Sequence, residues 1–527
     1  MRRLALAATT ALALVLTYAC GTDGTDVPPA DGDAGALAPD GATDLPDGAQ
    51  PMPDSSVPTN ADAALGDAGP DAPVDAGADT GPAGPLDPAF VHYDINHVLT
   101  TGQSNSIASG ARPPLTTTQP YSNRMFNVGV MTGCGRPGVA CAAGGCNGSG
   151  CTDYQTPTSF VPLVEGDTFF GGAYVVETTS SGLANEITRI ARAKYLVGQP
   201  PSKSSHDVLV SLHGRSGLTY WCLRKGGCTY LPAYNKPFAE GMRQITDAKA
   251  LAAAAGLSYV VRGVTVIHGE SDHYDDGDLL TEFPLAATSG VGNINHYGEG
   301  LIEWQKDYQE GAKAITGQTI PVPLFISQMN GWTDTPGSRL AVRQVIAHEN
   351  APGRVILIGP TYQLPFQTDC LHYTNHSSRR LGEYFAKAYA STVLGGKPWQ
   401  PVRPMSVTRA GAVITVTFNV PVPPLVIDTT RVLDPGKYGF TYHDESGAPP
   451  AITTVALAGP DTVRVTLASA PVGPGRKLRY ALNAAVPNAC PGPTQGARGN
   501  LRDSDTTPSE YGYDLHNWSV AFEKDVP

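Results

Sequence analysis

Three side chains of the types used in nucleophilic catalysis stand at two distant places in this 527-residue sequence. Ser104 lies in the segment Thr101-Gly102-Gln103-Ser104-Asn105-Ser106, and Asp369 precedes His372 by three positions. That spacing puts a carboxylate beside an imidazole ring on one turn, where it can hold the Nδ1–H tautomer and leave Nε2 as a general base. Together, the three residues predict acyl transfer through a serine ester.

Each part of this set also has an ordinary structural explanation. A Gly-x-Ser turn is common in loops, where serine often caps a helix. Asp369 is equally suited to cap the helix that follows, with His372 as a nearby surface residue. The catalytic interpretation therefore requires a fold that brings the two distant segments together.

Two further polar segments follow apolar runs. One, His268-Gly269-Glu270-Ser271-Asp272, suggests an oxyanion donor and a supporting acid, or else a solvated loop. The other contains Gly214, which would let the backbone approach a ligand and offer an N–H, or would only form a tight turn. Asp369 is assigned as the acid partner of His372 because the two are close in sequence, and Glu270 is kept as support.

Apolar runs alternate with helical patterns between His97 and Leu394. The expected buried strands are His97–Thr101, Asp207–Leu212, Tyr259–Ile267, Val322–Ser327 and Arg354–Ile358. The expected helices are Leu183–Leu196 with Ser180-Ser181 as its cap, Pro237–Ala255, Tyr297–Ile315, Gly337–Glu349 and Ser377–Leu394. This order predicts a three-layer α/β domain over residues 89–399, with a parallel five-stranded sheet whose carboxyl ends carry the active groups.

The pattern changes beyond Trp399. Short β-branched runs separated by Pro and Gly occur at Ala412–Asn419, Thr462–Leu467 and Lys477–Leu482. Residues 400–527 are therefore expected to form a small all-β sandwich.

The polar segments resemble those of a known family. Gly102-Gln103-Ser104-Asn105 matches the block that opens the sialate O-acetylesterase-like branch of the SGNH hydrolases. The segment from His268 to Asp272 is similar to that branch's Gln-Gly-Glu-Ser-Asp/Asn block, and Asp369-x-x-His372 looks like the block that closes the domain. The three blocks occur in the family's order, and the resemblance covers about residues 94–395.

The resemblance implies a flavodoxin-like fold and a carbohydrate O-acetylesterase that uses no metal or organic cofactor. Ser104 would be the nucleophile, His372 the base and Asp369 its orienting acid. The oxyanion donors would be the N–H groups of Ser104 and Gly214, with His268 in the place of the family's Gln.

The substrate implied by the resemblance is an acetylated glycan, such as an acetylated sialic acid or a plant or microbial polysaccharide. Gln103 and Asn105 are expected to contact it. Tyr220 and Trp221 lie in a loop bounded by cysteines, where they would either line a sugar-binding rim or form local core.

The first 20 residues are typical of an export signal. Arg2-Arg3 precede an apolar run, Leu4–Leu16, and Cys20 follows Ala19. A lipoprotein-type signal with Cys20 as the acylated anchor is expected, which would place the protein outside the cytoplasm, at the bacterial cell surface or in the periplasm. Because Thr17 stands where such signals usually have Leu, ordinary cleavage after Ala19 is the alternative.

Residues 21–88 have the composition of a disordered tether, with 14 Asp and no Glu, Lys or Arg. Without these Asp residues and the two Arg of the signal, the formal charge of −12 becomes zero for residues 89–527. The composition therefore gives no indication of a nucleic-acid partner, and contact with a membrane is expected only through the lipid.

Eight cysteines follow Cys20, an even number that favours disulfides in an exported protein. Four of them crowd into a Gly-rich insertion, where zinc is the less favoured alternative: Cys134, Cys141, Cys146 and Cys151. Cys222 and Cys228 flank a short loop, which leaves Cys370 and Cys490 as the remaining pair.

Two other functions fit part of the sequence. A non-enzymatic carbohydrate-binding lipoprotein on the same scaffold would not need all of Ser104, Asp369 and His372. A lipase-like SGNH esterase should have an extended apolar loop near Ser104, whereas Ala108–Thr118 is short, polar and contains Pro.

Overall fold

A computed structural model describes residues 86–132, 154–166, 176–229, 236–273, 283–333, 338–484 and 489–527. The described residues all belong to one compact unit. The expected signal, the Cys20 anchor, nearly all of the expected tether and the cluster from Cys134 to Cys151 lie outside them. No helix in the described ranges is both long and apolar enough to cross a bilayer.

The largest sheet has seven strands: β1 (Ile95–Gly102), β2 (Arg124–Phe126), β3 (Phe160–Pro162), β4 (Val208–Leu212), β5 (Tyr259–Ile267), β8 (Leu324–Gln328) and β9 (Val355–Pro360). Their order is β3-β2-β4-β1-β5-β8-β9, and only the β2–β3 pair is antiparallel. The five expected strands are confirmed as β1, β4, β5, β8 and β9. The expected sheet size is wrong, because β2 and β3 have three residues each and are too short to show a periodic pattern.

Within the described ranges, six α-helices accompany the sheet: α1 (Thr179–Ile190), α2 (Tyr220–Leu223), α3 (Pro237–Ala254), α4 (Tyr297–Thr316), α5 (Leu340–Asn350) and α6 (Asn375–Tyr389). Helices α1 and α6 continue as π-helical turns at Ala191–Tyr195 and Ala390–Leu394. The expected cap of the first helix is wrong by two residues. Thr178 caps α1, and its side chain accepts a hydrogen bond from the N–H of Ser180 at 3.0 Å.

Helices cover both faces of the sheet. Consecutive residues of β1 point to opposite sides, so Val98 packs with Leu183 of α1 and Phe385 of α6, whereas Leu99 belongs to the cluster that contains Leu301 of α4. All five side chains are buried. This arrangement confirms the expected three-layer α/β architecture.

The C-terminal region is built from strands: β10 (Arg403–Ala410), β11 (Val413–Asn419), β12 (Val426–Ile427), β13 (Phe440–His443), β14 (Ile452–Leu457), β15 (Thr462–Leu467), β16 (Lys477–Tyr480), β17 (Leu501–Arg502) and β18 (Phe522–Asp525). Sheets β10-β11-β15-β14 and β13-β16-β18 are antiparallel and share one core, to which Val416 and Leu478 contribute. The expected β-rich region is confirmed. Two short antiparallel pairs complete the strands of the described residues, β12 with β17 and β6 (Leu285–Ala286) with β7 (Asn293–Ile294).

The segment just before the last strand returns to the α/β region. Val520 is buried in the cluster that contains Leu324 of β8. The Gln328 amide donates to the carbonyl of Ala521 at 2.8 Å, and its oxygen accepts from the N–H of Ala521 at 2.7 Å. Packing is therefore continuous across residue 400, although the type of element changes there.

Strand β1 ends at Gly102, a position that requires glycine. Its φ is +132°, and an added Cβ would collide with the carbonyl oxygen of Ile267 on β5. We expect Gly102→Ala to lower the free energy of unfolding by more than about 2 kcal/mol, because a strained backbone and a backbone clash add together.

Urea unfolding of both the variant and the wild type measures this difference. The matched control is Gly256→Ala, where φ is +69° and nothing lies within 4 Å of the added Cβ. Its cost should be about 1–2 kcal/mol, from the left-handed conformation alone. An equal loss in the two variants would contradict the clash with Ile267.

Candidate active site

The loops that follow β1, β5 and β9 meet at one edge of the sheet, as the carboxyl ends of parallel strands do. The N–H of Gln103 donates to the carbonyl of Ile267 at 3.1 Å, and its side-chain oxygen accepts from the N–H of Ser271 at 2.9 Å. Gln103 is buried and thus joins the first loop to the segment after β5. Its observed role is to position these two loops, while the expected contact with substrate stays a prediction.

Asn105 joins the nucleophile loop to the histidine. Its side chain donates to the carbonyl of Leu371 at 3.1 Å and accepts from the N–H of Tyr373 at 3.0 Å. Leu371 and Tyr373 flank His372, so the residue next to Ser104 fixes the backbone on both sides of the predicted base. Ser104 itself is 4% exposed. The fold therefore brings the two distant segments together.

Asp369 contacts the ring of His372 directly. Its Oδ2 lies 2.6 Å from Nδ1 of His372, and its Oδ1 accepts from the N–H groups of Leu371 and His372, each at 3.0 Å. Partial burial raises the pKa of Asp369, but these hydrogen bonds and the adjacent ring together lower it below its usual value. The carboxylate therefore stays ionised and favours a proton on Nδ1, which leaves Nε2 of His372 as the basic nitrogen.

Glu270 is buried behind this pair. Its Oε1 accepts from the Asn105 amide at 3.3 Å, and its Oε2 is buried without a hydrogen-bond partner among the described residues. Burial raises the pKa of the Glu270 carboxyl, although its own N–H, Asn105 and the nearby His372 ring oppose that shift. Glu270 thus reaches Asn105, whereas Asp369 is the carboxylate bonded to the imidazole.

A disulfide lies inside the acid–base turn. Cys370, between Asp369 and His372, is bonded to Cys490, and the two Cα atoms are 4.7 Å apart. The expected pairing is confirmed, as is that of Cys222 with Cys228. The Asp369 turn is therefore covalently attached to the β-rich region.

We expect the double variant Cys370→Ser/Cys490→Ser to lose about 10- to 100-fold in kcat/KM for a small acetyl ester, because small displacements of catalytic groups are costly. Kinetics below the melting transition, with circular dichroism as a check of folding, measure this loss. The control is Cys222→Ser/Cys228→Ser, whose disulfide is not attached to the Asp369 turn. A larger loss of activity in the control than in the test variant would contradict the assigned role of the bridge.

Gly214 lies against the nucleophile loop. An added Cβ would collide with Oγ of Ser106, and the next N–H, that of Arg215, donates to the carbonyl of Gly102 at 2.9 Å. Only glycine allows this approach of the loop after β4 to the loop that carries Ser104. The N–H of Gly214 therefore stays a candidate oxyanion donor on grounds of position.

The prediction of His268 as an oxyanion donor is wrong. Its ring is buried, with Nδ1 2.9 Å from the Tyr297 hydroxyl and Nε2 3.0 Å from the carbonyl of Leu218. Burial lowers the pKa of His268 to about 4, so the ring is neutral near pH 7 and its single N–H is the one that the Leu218 carbonyl requires. His268 supports the loop before α2, and the adjacent Gly269 is packed against Met329.

The prediction of Tyr220 as a substrate-binding residue is also wrong. Tyr220 is fully buried, donates from its hydroxyl to Glu303 at 2.6 Å and packs edge-on against Trp304. Trp221 is half-buried and packs against the hydrophobic cluster that contains Tyr220 and Trp304. The alternative interpretation, local core of a disulfide-tied loop, therefore holds for Tyr220.

The loop after β8 was not predicted to belong to the site. Asn330 is buried there, and an added Cβ at Gly331 would lie 3.7 Å from Cγ of Glu270. Trp332 follows at the surface. The position of this loop after a strand was the available signal that it belongs to the site. The segment from Asn330 to Trp332 contains no acid, base or nucleophile that would have pointed to a function.

Comparisons with known proteins give weak similarities. No family model matches the chain, and no curated protein matches it significantly. A carbohydrate acetylesterase from Xanthomonas citri is 15% identical, with 82% of this chain and 80% of that chain covered and a TM-score of 0.44. A protein from Arabidopsis thaliana (15% identical, TM-score 0.29) and an aryl esterase from M. smegmatis (10%, 0.27) each align with 56% of this chain over 99% of their own length. Similarities this weak carry no information on substrate or mechanism.

Proposed function

We propose that the protein is a serine ester hydrolase that acts through an acyl-Ser104 intermediate. The observation that carries this proposal is the bonding of the Asn105 side chain to both neighbours of His372, whose ring is in turn bonded to Asp369. A nucleophile, a base and an orienting carboxylate are thus held by consecutive contacts.

The reaction has two steps. His372 Nε2 takes the proton of Ser104 as Oγ attacks the ester carbonyl, and then gives it to the departing alcohol. In the second step His372 takes a proton from water as the water oxygen attacks the acyl carbonyl, and it gives that proton to Ser104 Oγ when the bond between Oγ and the acyl carbon breaks and the acid leaves. Asp369 stabilises the imidazolium in both steps, and the N–H groups of Ser104 and Gly214 are the proposed donors to the oxyanion.

The proposed substrate is an acetyl ester of a carbohydrate. Its support is the resemblance of three blocks, around Ser104, Glu270 and His372, to the sialate O-acetylesterase-like SGNH hydrolases. No contact among the residues that the structure describes selects acetate or a particular sugar, so the substrate class rests on those blocks.

Acetate release from acetylated xylan, acetylated sialic acid and acetylated pectin tests both parts of the proposal. We expect release from at least one of the three by the wild type and none above background by Ser104→Ala. Hydrolysis of p-nitrophenyl acetate without acetate release from any glycan would contradict the proposed carbohydrate substrate. Inactivity on all four esters would contradict the proposed esterase activity.

A further inference from the structure

Trp332 presents an aromatic surface to solvent. It is 36% exposed, while the other four tryptophans are buried or half-buried. Its ring stacks on that of His273, with centroids 4.9 Å apart and planes inclined by 19°. The half-buried imidazole therefore backs the indole, which is the exposed aromatic surface of the pair.

This surface lies at the same edge of the sheet as Ser104. His273 follows the short turn Glu270–Asp272 after β5, and Trp332 follows β8, which is the neighbouring strand. Since β1 also borders β5, β8 lies two strand spacings, about 10 Å, from β1, and the loops that carry Trp332 and Ser104 begin at the same ends of these two strands. The moiety attached to an ester at Ser104 would extend over such a distance.

The backbone of Trp332 is in an unusual conformation. Its φ is +54°, in the left-handed region that bulky side chains rarely adopt. Such conformations persist where the surrounding structure imposes them, and they are concentrated at ligand sites.

The turn before Trp332 is braced from the β-rich region. The Asn330 amide donates to the carbonyl of Ala497 at 2.7 Å and accepts from the N–H of Gly492 at 3.1 Å, while the Thr333 hydroxyl donates to the carbonyl of Asn330 at 3.0 Å. The exposed ring is therefore fixed in place before a ligand arrives.

We propose that Trp332 and His273 form a stacking platform for a sugar ring of the substrate. This proposal rests on the proposed function and deepens it. The C–H face of a pyranose is apolar and lies flat on an aromatic ring, and weak C–H contacts with the ring electrons add to the burial of its surface. A preformed aromatic surface suits a glycan ring, because little order is lost on binding.

Binding is tested in the Ser104→Ala background, with acetylated xylotetraose as the probe and calorimetry as the measurement. We expect Trp332→Ala to raise Kd about tenfold, the loss of one stacking contact, and Trp332→Tyr to stay within about threefold because a flat ring is retained. An unchanged Kd in Trp332→Ala, an equal loss in both variants, or no binding of the probe before substitution would overturn the platform.

Kinetics of enzymes with Ser104 intact separate binding from a general structural effect. Trp332→Ala should raise KM for acetylated xylotetraose about tenfold and leave kcat/KM for ethyl acetate within about twofold, since ethanol is too small to reach the platform. A parallel fall on both substrates would overturn the proposal. A wild type that cleaves neither ester contradicts the proposed function, whereas one that cleaves both and is unaffected by Trp332→Ala contradicts only the platform.

Discussion

Ser104→Ala is expected to lower kcat for p-nitrophenyl acetate by about 10⁴- to 10⁶-fold. The change removes the atom that forms the acyl intermediate, and the remaining rate would come from oxyanion donors and substrate binding alone. Steady-state kinetics measure the loss, and an unchanged melting temperature shows that the fold is intact. A folded variant with near-native activity would exclude Ser104 from the mechanism.

Ser106→Ala is the matched control. Ser106 is a buried serine in the same loop, and its hydroxyl donates to the carbonyl of Gln103 at 2.7 Å. Losing that bond should cost about 1 kcal/mol of stability and at most about tenfold in kcat. If both serine variants were equally inactive, the loss would reflect the shape of the loop and not the removal of a nucleophile.

Asp369→Asn is expected to reduce kcat by about 10⁴-fold, because an amide in this place favours the His372 tautomer that has lost its outward basic nitrogen. Glu270→Gln should cost about tenfold, since Glu270 bonds to Asn105 and not to the ring. The two substitutions are isosteric and each removes one charge, so they serve as controls for each other. A more damaging Glu270→Gln would move the role of triad acid to Glu270.

Long apolar runs made most of the fold predictable. Each of the five longer strands of the sheet is buried on both faces along nearly its whole length, so its apolar composition alone predicts it. The closeness of Asp369 to His372 also follows from a spacing of three. The spacing does not predict that this pair lies near Ser104, because that proximity depends on Asn105 contacts across more than 260 residues. Only the family resemblance implied it.

The wrong site predictions share one cause. His268 and Tyr220 are residue types found both in active sites and in cores, and only tertiary packing buries them against Tyr297 and Trp304. Trp332 shows the opposite outcome, because an aromatic residue after a strand is normally expected in the core, whereas this one is exposed. For single histidine and aromatic residues in loops, burial depends on the assembled layers and cannot be predicted from the local segment.

The return of the segment before the last strand to the α/β region bears on how this protein can change or be rebuilt. The shift from helices to strands near residue 400 suggests a place to exchange one C-terminal module for another. A chain cut there would lose Val520 from the core of the α/β region, the Ala521 partner of Gln328 and the cysteine that holds the Asp369 turn. Recombination at that point would therefore deliver an incomplete fold, and a transplant to another scaffold must carry residues 89–527 as one piece.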